Sequence, residues 1–154
     1  MGRKPLFYFS GALPRGESMN FNKLLSIMDT LLGENGCPWD KEQTHESLKE
    51  NMLEECNEVI DAINQHDIDG LKEELGDVLL QVIFHAKLAE KAGNFTMDDV
   101  ILTLADKLTS RHSHIFGTDV ANNAYDALKI WEANKQKERA NKLNNNNSKL
   151  LQNE

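Results

Sequence analysis

A chain of 154 residues, 40% of them hydrophobic and 27% charged, has the composition of one soluble globular domain. Its 17 basic and 25 acidic side chains give a net charge of −8, which argues against binding to a nucleic acid polymer, because that binding neutralises phosphates with Lys and Arg. Two cysteines are too few for a disulfide framework, and no apolar run reaches the ~20 residues of a membrane span. We therefore expect a cytoplasmic protein without a membrane partner.

Helix-capping residues and glycines divide the chain into helices with short connections. Residues 1–18 lack a signal-peptide cleavage site and are expected to be a disordered extension. Helices are predicted over residues 21–32, 46–65, 71–92, 97–111 and 124–142. Ser47 and Glu50 match a capping box for the second helix, and His66–Gly70 reads as the turn before the third. Residues 143–154 are expected to be a disordered, Asn-rich tail.

No segment alternates apolar and polar residues with the period of two that marks a strand. The sequence therefore predicts an all-α protein, with residues 19–142 forming one helical bundle. The short turn between the second and third predicted helices favours an antiparallel hairpin.

Each helix of this hairpin carries two acidic residues three positions apart, Glu55 and Glu58 on one and Glu74 and Asp77 on the other. On a helical wheel both pairs lie at the margin of the apolar stripe expected to face the core. Glu58 and Asp77 both lie roughly 10 Å from the turn, at 1.5 Å per residue. The apolar stripes consist of Met52, Cys56, Val59, Ile60 and Ile63, and of Leu71, Leu75, Val78, Leu79 and Val82.

Carboxylates gathered at one partly buried depth of a hairpin destabilise it unless they are protonated or bind a cation, and a solvated acidic helix surface is the structural alternative to a metal site. Two like charges ~5 Å apart repel by about 3 kcal/mol at an effective dielectric constant of ~20. An all-carboxylate site suits Mg²⁺, or Mn²⁺, better than zinc. A di-iron bundle needs Glu-x-x-His on two helices. Only Glu42 and His45 have that spacing, at a loop-to-helix junction, so di-iron chemistry is not expected.

The sequence resembles the MazG family of nucleoside triphosphate pyrophosphohydrolases from about Phe21 to Trp131. The family pattern E-E-x-x-E followed by E-x-x-D is matched by Glu54, Glu55, Glu58, Glu74 and Asp77. The segments Cys37-Pro-Trp-Asp40, Phe84-His-Ala86 and Arg111-His-Ser-His-Ile-Phe-Gly117 are also similar to the family. Many relatives carry two such domains in tandem, and this chain has one, resembling the first.

The resemblance implies an all-α fold that forms dimers or higher oligomers. It also implies Mg²⁺-dependent hydrolysis of a nucleoside triphosphate to a monophosphate and pyrophosphate, with a house-cleaning role toward nucleotides that include noncanonical ones. Glu55, Glu58, Glu74 and Asp77 would be the metal ligands, with Glu54 in their outer shell. As a mechanistic hypothesis, Glu54 or Glu58 orients or deprotonates the attacking water.

Further residues are candidate substrate contacts, each with a structural alternative. Lys107 and Arg111 share a helix face and are either phosphate contacts or solvated cations. Trp39 and Trp131 either stack on the base or only pack. His85 shares the wheel edge of Glu74 and Asp77, where a hydrogen-bonded core histidine is the alternative to a nucleotide contact.

Three other functions fit the sequence. One is a more selective hydrolase, directed at dUTP or phosphoribosyl-ATP. Another is a non-catalytic nucleotide- or partner-binding module on the same fold, and the third is a purely structural helical protein. Metal-dependent thermal stability separates the structural protein from the rest.

Overall fold

The computed structural model describes the backbone of residues 15–151 and the side chains of residues 20–144. This part of the chain is helical and contains no strand, which confirms the all-α prediction. Residues 1–14 of the expected N-terminal extension and residues 152–154 of the expected tail lie outside the described residues. The helices are α1 (Arg15–Leu32), α2 (Pro38–Glu42), α3 (Lys49–Gln65), α4 (Ile68–Lys91), α5 (Met97–Arg111), α6 (Ser113–Phe116) and α7 (Ala124–Leu151).

The outermost helices are longer than predicted. α1 begins at Arg15 rather than at residue 21, and α7 continues to Leu151 rather than ending at residue 142. No proline interrupts residues 15–20, and no glycine or proline follows Gly117. Asn is only a moderately poor helix former, so the Asn-rich segment contains no residue that must end α7.

The predicted capping box of Ser47 and Glu50 is wrong. α3 begins at Lys49, and no side chain caps its start at Leu48. Ser47 instead forms a local turn with Thr44, in which each backbone N–H donates to the other residue's hydroxyl, at 3.0 and 3.1 Å. Ser47 Oγ also donates to Gln43 Oε1 at 2.8 Å, so its hydroxyl is committed to the turn that precedes the helix.

The connection between α3 and α4 is shorter than the predicted turn. His66 ends α3 with a left-handed backbone, at φ 57°, and Asp67 caps α4 by accepting a 3.0 Å hydrogen bond from Gly70 N–H. α4 therefore includes Ile68–Gly70, which were predicted to lie in the turn, because Asp67 supplies the N-cap acceptor. The tight connection makes α3 and α4 an antiparallel hairpin.

The chain divides into two compact units, residues 1–97 and 98–154. In the first unit α1, α2, α3 and α4 surround a small core, and Lys87 of α4 binds Asp29 of α1 at 2.7 Å. The buried apolar side chains of this unit are Met28, Leu48, Ala62, Ile83, Phe84, Ala86, Ala89 and Met97. In the second unit α6 contacts α7, and Arg111 at the end of α5 pairs with Glu138 of α7.

Part of the expected core stripe lies at the surface of the single chain. Ile60 and Ile63 are each 53% exposed, Leu75 is 52% exposed and Leu79 is 36% exposed, so the prediction that they face the core is wrong for the isolated chain. Among the described helices of the first unit, only α1 packs against the hairpin, through α4, and α2 contacts α1. One apolar face of α3 and α4 therefore remains uncovered.

None of the helices in the described part of the chain is both long enough and apolar enough to cross a bilayer.

Candidate metal centre

The hairpin brings three of the predicted metal ligands together. One carboxylate oxygen from each of Glu55, Glu58 and Glu74 lies within 4.8 Å of the others, and we call these residues the carboxylate cluster. Glu55 and Glu58 come from α3 and Glu74 from α4, so the cluster spans the two helices. Glu55 and Glu74 are half-buried, whereas Glu58 is exposed.

Asp77 and Glu54 flank the cluster without belonging to it. Asp77 is half-buried on α4, one turn after Glu74, and its charge is the strongest neighbouring charge acting on Glu55. Glu54 is exposed, and its charge acts on Glu55 more weakly than those of Asp77 and Glu58. Asp77, the fourth predicted ligand, therefore lies close to the cluster, but its oxygens are not among those that lie within 4.8 Å of one another.

The electrostatics of the cluster disfavour a fully ionised, metal-free state. Burial raises the pKa of the Glu55 carboxyl, and the charges of Asp77 and Glu58 raise it further. Burial likewise raises the pKa of Glu74, and the charge of Glu58 and a hydrogen bond to it add to the effect. A bound cation would remove the same repulsion that the raised pKa values reflect.

The donor set fits a hard divalent cation. It consists of carboxylate oxygens, with Glu55, Glu58 and Glu74 in reach of one ion and Asp77 beside them. Oxygen-only sites are typical of Mg²⁺, Mn²⁺ or Ca²⁺, whereas zinc sites usually include His or Cys. The cluster can therefore hold a divalent metal ion.

His85 is paired with another histidine. Its Nδ1 lies 2.8 Å from Nδ1 of His45, and the two rings stack with centroids 5.1 Å apart. Burial lowers the pKa of His85, and the neighbouring ring of His45 lowers it further. One Nδ1 must donate and the other accept, so at least one of these rings is neutral. His85 is thus a half-buried, hydrogen-bonded histidine, which agrees with a structural role.

Trp39 lies at a cavity that reaches the carboxylate cluster. The cavity has a volume of about 230 Å³, and its wall includes Trp39, Asn51, Glu55, Gln81 and Phe84. We call it the Trp39 cavity. Trp39 itself is 55% exposed, so packing does not fully account for this large aromatic side chain.

Sequence analysis did not identify Gln81. This residue is only 5% exposed, and its Oε1 is buried without a hydrogen-bond partner. A signal was available, because Gln81 is the single polar residue in the run Val78-Leu-Leu-Gln-Val-Ile-Phe84. A buried side-chain amide normally has its partners, so one without them marks a position to explain.

The other predicted substrate contacts lie in the second unit. The guanidinium of Arg111 donates from Nε and Nη2 to Glu138 Oε2, at 3.1 and 2.8 Å. The guanidinium carbon also lies 5.1 Å from the ring centre of Trp131. The His112 ring packs edge-on against the same indole, with ring centroids 4.9 Å apart. Hydrogen bonds from Arg111 and Ser110 lower the pKa of Glu138. Arg111 and Trp131 therefore pack against each other within the second unit. Lys107 lies one turn before Arg111 on α5 and is half-buried.

The chain is similar to known proteins over most of its length. Residues 43–116 match the family model described as the MazG nucleotide pyrophosphohydrolase domain. The chain is 52% identical, over 122 residues, to the nucleoside triphosphate pyrophosphohydrolase/pyrophosphatase MazG of Thermotoga maritima, covering 79% of this chain and 46% of that protein. It is 47% identical to the nucleoside triphosphate pyrophosphohydrolase of Escherichia coli K12, with the same coverage of both chains.

Two further similarities extend this result. The uncharacterized protein YabN of Bacillus subtilis is 47% identical over 131 residues, which are 85% of this chain and 26% of that protein. The crystal structure of a mazG-related protein from Thermotoga maritima matches with a TM-score of 0.63 and 28% identity, covering 75% of this chain and 98% of that chain. The chain spans less than half of the length of each of these curated relatives.

Proposed function

The chain belongs to the MazG family, and from this we propose that it hydrolyses nucleoside triphosphates to monophosphates and pyrophosphate in a reaction that requires Mg²⁺. The observation that carries the proposal is the carboxylate cluster of Glu55, Glu58 and Glu74 across the α3–α4 hairpin. The cluster lies within the segment that matches the family, and relatives 47–52% identical to this chain are named for this activity.

In the proposed site Glu55, Glu58, Glu74 and Asp77 hold the metal. Bound Mg²⁺ supplies positive charge to the triphosphate and lowers the pKa of a coordinated water, and Mn²⁺ can supply the same chemistry. Glu58 is the exposed member of the cluster, and its carboxylate lies within 4.8 Å of those of Glu55 on its own helix and Glu74 on α4. Glu58, or the exposed Glu54 beside it, orients the attacking water or accepts its proton.

We also propose substrate contacts for the remaining candidate residues. Trp39 stacks on the base, which its exposed position at the wall of a cavity supports. His85 contacts the nucleotide, and its hydrogen bond with His45 fixes the orientation of both rings.

In the second unit, Lys107 and Arg111 bind phosphates and Trp131 contacts the nucleotide. Glu138 accepts from Nε and Nη2 of Arg111, and a phosphate would take the remaining N–H donors of the guanidinium. The salt bridge with Glu138 and the contact with Trp131 orient this side chain.

The proposed substrate is a free nucleotide rather than a nucleic acid polymer, since a net charge of −8 opposes nonspecific binding to a polyanion, which depends on Lys and Arg. We place the enzyme in the cytoplasm, which agrees with two free cysteines. We further propose a homodimer or higher homo-oligomer, in which a second copy covers the exposed apolar residues of the hairpin. A surface of this kind on a single chain is typical of an interaction site.

Pyrophosphate release from common and deaminated nucleoside triphosphates, measured with Mg²⁺ and with EDTA, tests the proposal. We expect equal amounts of monophosphate and pyrophosphate with Mg²⁺ and none with EDTA. Release from one substrate only, such as dUTP or phosphoribosyl-ATP, would identify a selective hydrolase. Metal-dependent nucleotide binding without release would contradict catalysis and identify a binding module.

A further inference from the structure

We propose that His45 is a positioning residue, which carries the extra proton of the His45–His85 pair and so holds His85 in the tautomer that donates from Nε2 to the nucleotide. The inference rests on the proposed function, in which His85 contacts the substrate, and adds how that contact is controlled. It is carried by the 2.8 Å distance between Nδ1 of His45 and Nδ1 of His85.

The pair joins two segments of the first compact unit. His45 is exposed in the α2–α3 connection, residues 43–48, and His85 is half-buried on α4. Among the described residues, their contact is the only side-chain hydrogen bond between this connection and α4. The proton in this bond therefore affects the connection and the helix together.

The distance between the two Nδ1 atoms fixes how many protons lie between the rings. A neutral imidazole has one N–H nitrogen and one acceptor nitrogen. At 2.8 Å one Nδ1 must donate and the other must accept. If Nδ1 of His85 accepts, the neutral His85 ring has its hydrogen on Nε2 and can donate from there. If Nδ1 of His85 donates, Nε2 of the neutral ring can only accept.

Burial decides which ring takes an additional proton. Burial lowers the pKa of His85, and the charge of His45 lowers it further. The exposed ring of His45 keeps its charge in contact with water, so the singly protonated pair has its charge on His45. Both nitrogens of His45 are then N–H donors, and His85 is left neutral with its hydrogen on Nε2.

Charged groups around the pair do not change this assignment. Among the described residues, His45 is the one charged group that acts on the pKa of His85. The charged side chains that lie nearest to the two rings along the chain have partners of their own, in the ion pairs Glu46–Lys49, Lys87–Asp29 and Lys87–Glu90. The protonation of the pair is therefore set by the two rings and by their different burial.

His85 lies on the side of α4 that carries the carboxylate cluster. It follows Glu74 by eleven residues, which at about 100° per residue returns it to within about 20° of Glu74 around the helix. The same spacing places His85 roughly 16 Å farther along α4. A nucleotide whose phosphates bind a metal at the cluster can therefore extend along this side of α4 toward His85.

Nitrogen-15 NMR of the histidine rings tests the proton assignment in the ligand-free chain, because protonated and unprotonated ring nitrogens have different chemical shifts. As the pH is lowered from about 8.5 to about 5.5, we expect the first proton to bind His45, with Nδ1 of His85 unprotonated and Nε2 of His85 protonated. In His45→Phe the neighbouring charge is absent, so His85 should take up a proton at a higher pH than in the wild type. Protonation of His85 before His45 in the wild type, or the same titration of His85 in both chains, would overturn the inference.

Calorimetric binding of an α,β-methylene nucleoside triphosphate with saturating Mg²⁺ tests the role of the pair, because this analogue is not cleaved between the α- and β-phosphates. We expect His45→Phe to bind it roughly tenfold more weakly than the wild type, the effect of one oriented hydrogen bond lost. His45→Asn should stay within about threefold of the wild type, because an amide N–H can donate to Nδ1 of His85 in place of the ring.

His66→Asn is the matched control, since His66 is exposed and its left-handed backbone suits Asn. We expect its affinity for the analogue to equal that of the wild type. Equal binding by the wild type and His45→Phe, or the same loss in His66→Asn, would contradict the positioning role of His45.

These results are separable from the proposed function. Pyrophosphate release by the wild type, with unchanged analogue binding in His45→Phe, would keep the hydrolase and remove the positioning role. Analogue binding that depends on His45, without pyrophosphate release, would keep the positioning role and remove the hydrolase. The NMR titration of the wild type tests the proton assignment even if His45→Phe does not fold.

Discussion

The carboxylates of the cluster repel one another, and a bound cation would reduce this repulsion. The repulsion makes the stability of the fold depend on pH. The pKa values of Glu55 and Glu74 are both raised in the folded chain, so the native state binds more protons than the unfolded state above pH 4.5. Their contribution to the unfolding free energy is fully present below the unfolded pKa and is lost as pH rises through the folded values.

We therefore expect the melting temperature in EDTA to fall as the pH is raised from about 5 to about 7.5, because Glu55 and Glu74 lose their protons. The double variant Glu55→Gln, Glu74→Gln should show a smaller decrease and melt a few degrees higher at neutral pH. Glu73→Gln, at an exposed position of α4, is the control. Saturating Mg²⁺ should raise the wild-type melting temperature most at neutral pH, because the metal binds the deprotonated carboxylates. Identical pH profiles for the wild type and the double variant would contradict the electrostatic account.

Lys107 offers a cleaner test of phosphate binding than Arg111, because substitution of Arg111 also breaks its salt bridge with Glu138. Lys107→Met keeps the apolar stem and removes the charge. We expect KM for a nucleoside triphosphate to rise about tenfold, with an unchanged melting temperature. Steady-state kinetics with Lys72→Met as control measures this, since Lys72 is an exposed cation of α4. An unchanged KM in Lys107→Met would show that Lys107 does not bind a phosphate of the substrate.

The site shows which residues a sequence can identify. Helical periodicity places Glu55, Glu58 and Glu74 at one level of a hairpin, and the structure brings their oxygens within 4.8 Å. Periodicity does not fix side-chain rotamers, so it does not show that Asp77 lies beside this group and not within it. Gln81 was missed because its burial depends on packing beyond its own helix.

At the scale of the elements, the α3–α4 turn determines the register of the site. Asp67 caps α4 with its side chain, and the left-handed backbone of His66 ends α3. The sequence predicted a turn here, but several polar residues compete for the cap, and only the geometry identifies Asp67. A change of register by one residue would move Glu74 by about 100° around its helix, away from Glu55 and Glu58.

We expect Asp67→Ala to lower stability by about 1 kcal/mol, which corresponds to roughly 2–4 °C in melting temperature for a chain of this length. Asp69→Ala is the matched control in the same turn, because the Asp69 side chain is 95% exposed and makes only a surface ion pair with Lys72. Thermal melts followed by circular dichroism compare the two variants. Equal melting temperatures would show that Asp67 does not cap α4.

At the scale of the whole molecule, the exposed apolar residues of the hairpin mark a surface that a single chain leaves uncovered. Leu53, Ile60, Ile63, Ile68, Leu75 and Leu79 are all exposed on α3 or α4. The sequence predicted that four of these, Ile60, Ile63, Leu75 and Leu79, face the core, and in the isolated chain they are exposed. Helical periodicity marks an apolar face but does not show which element covers it. The second copy of the proposed oligomer would bury these residues and account for the periodic pattern.

Sedimentation velocity tests the role of this surface. We expect the wild-type chain to be a dimer or larger oligomer and Ile60→Asp to shift it toward the monomer, because the new charge would be buried at the contact. Val120→Asp, at a 74% exposed apolar residue of the second unit, is the control. A monomeric wild-type chain would contradict the proposed oligomer.

The most direct test of a metal-dependent hydrolytic site at Glu58 and its neighbours compares pyrophosphate release by Glu58→Gln, Glu73→Gln and the wild type, with Mg²⁺ and with EDTA. We predict Mg²⁺-dependent release by the wild type and by Glu73→Gln. For Glu58→Gln we predict a loss of at least roughly 100-fold with an unchanged far-UV circular dichroism spectrum. Release by Glu58→Gln close to that of the wild type, or release that persists in EDTA, would contradict the assignment of this cluster as the active site.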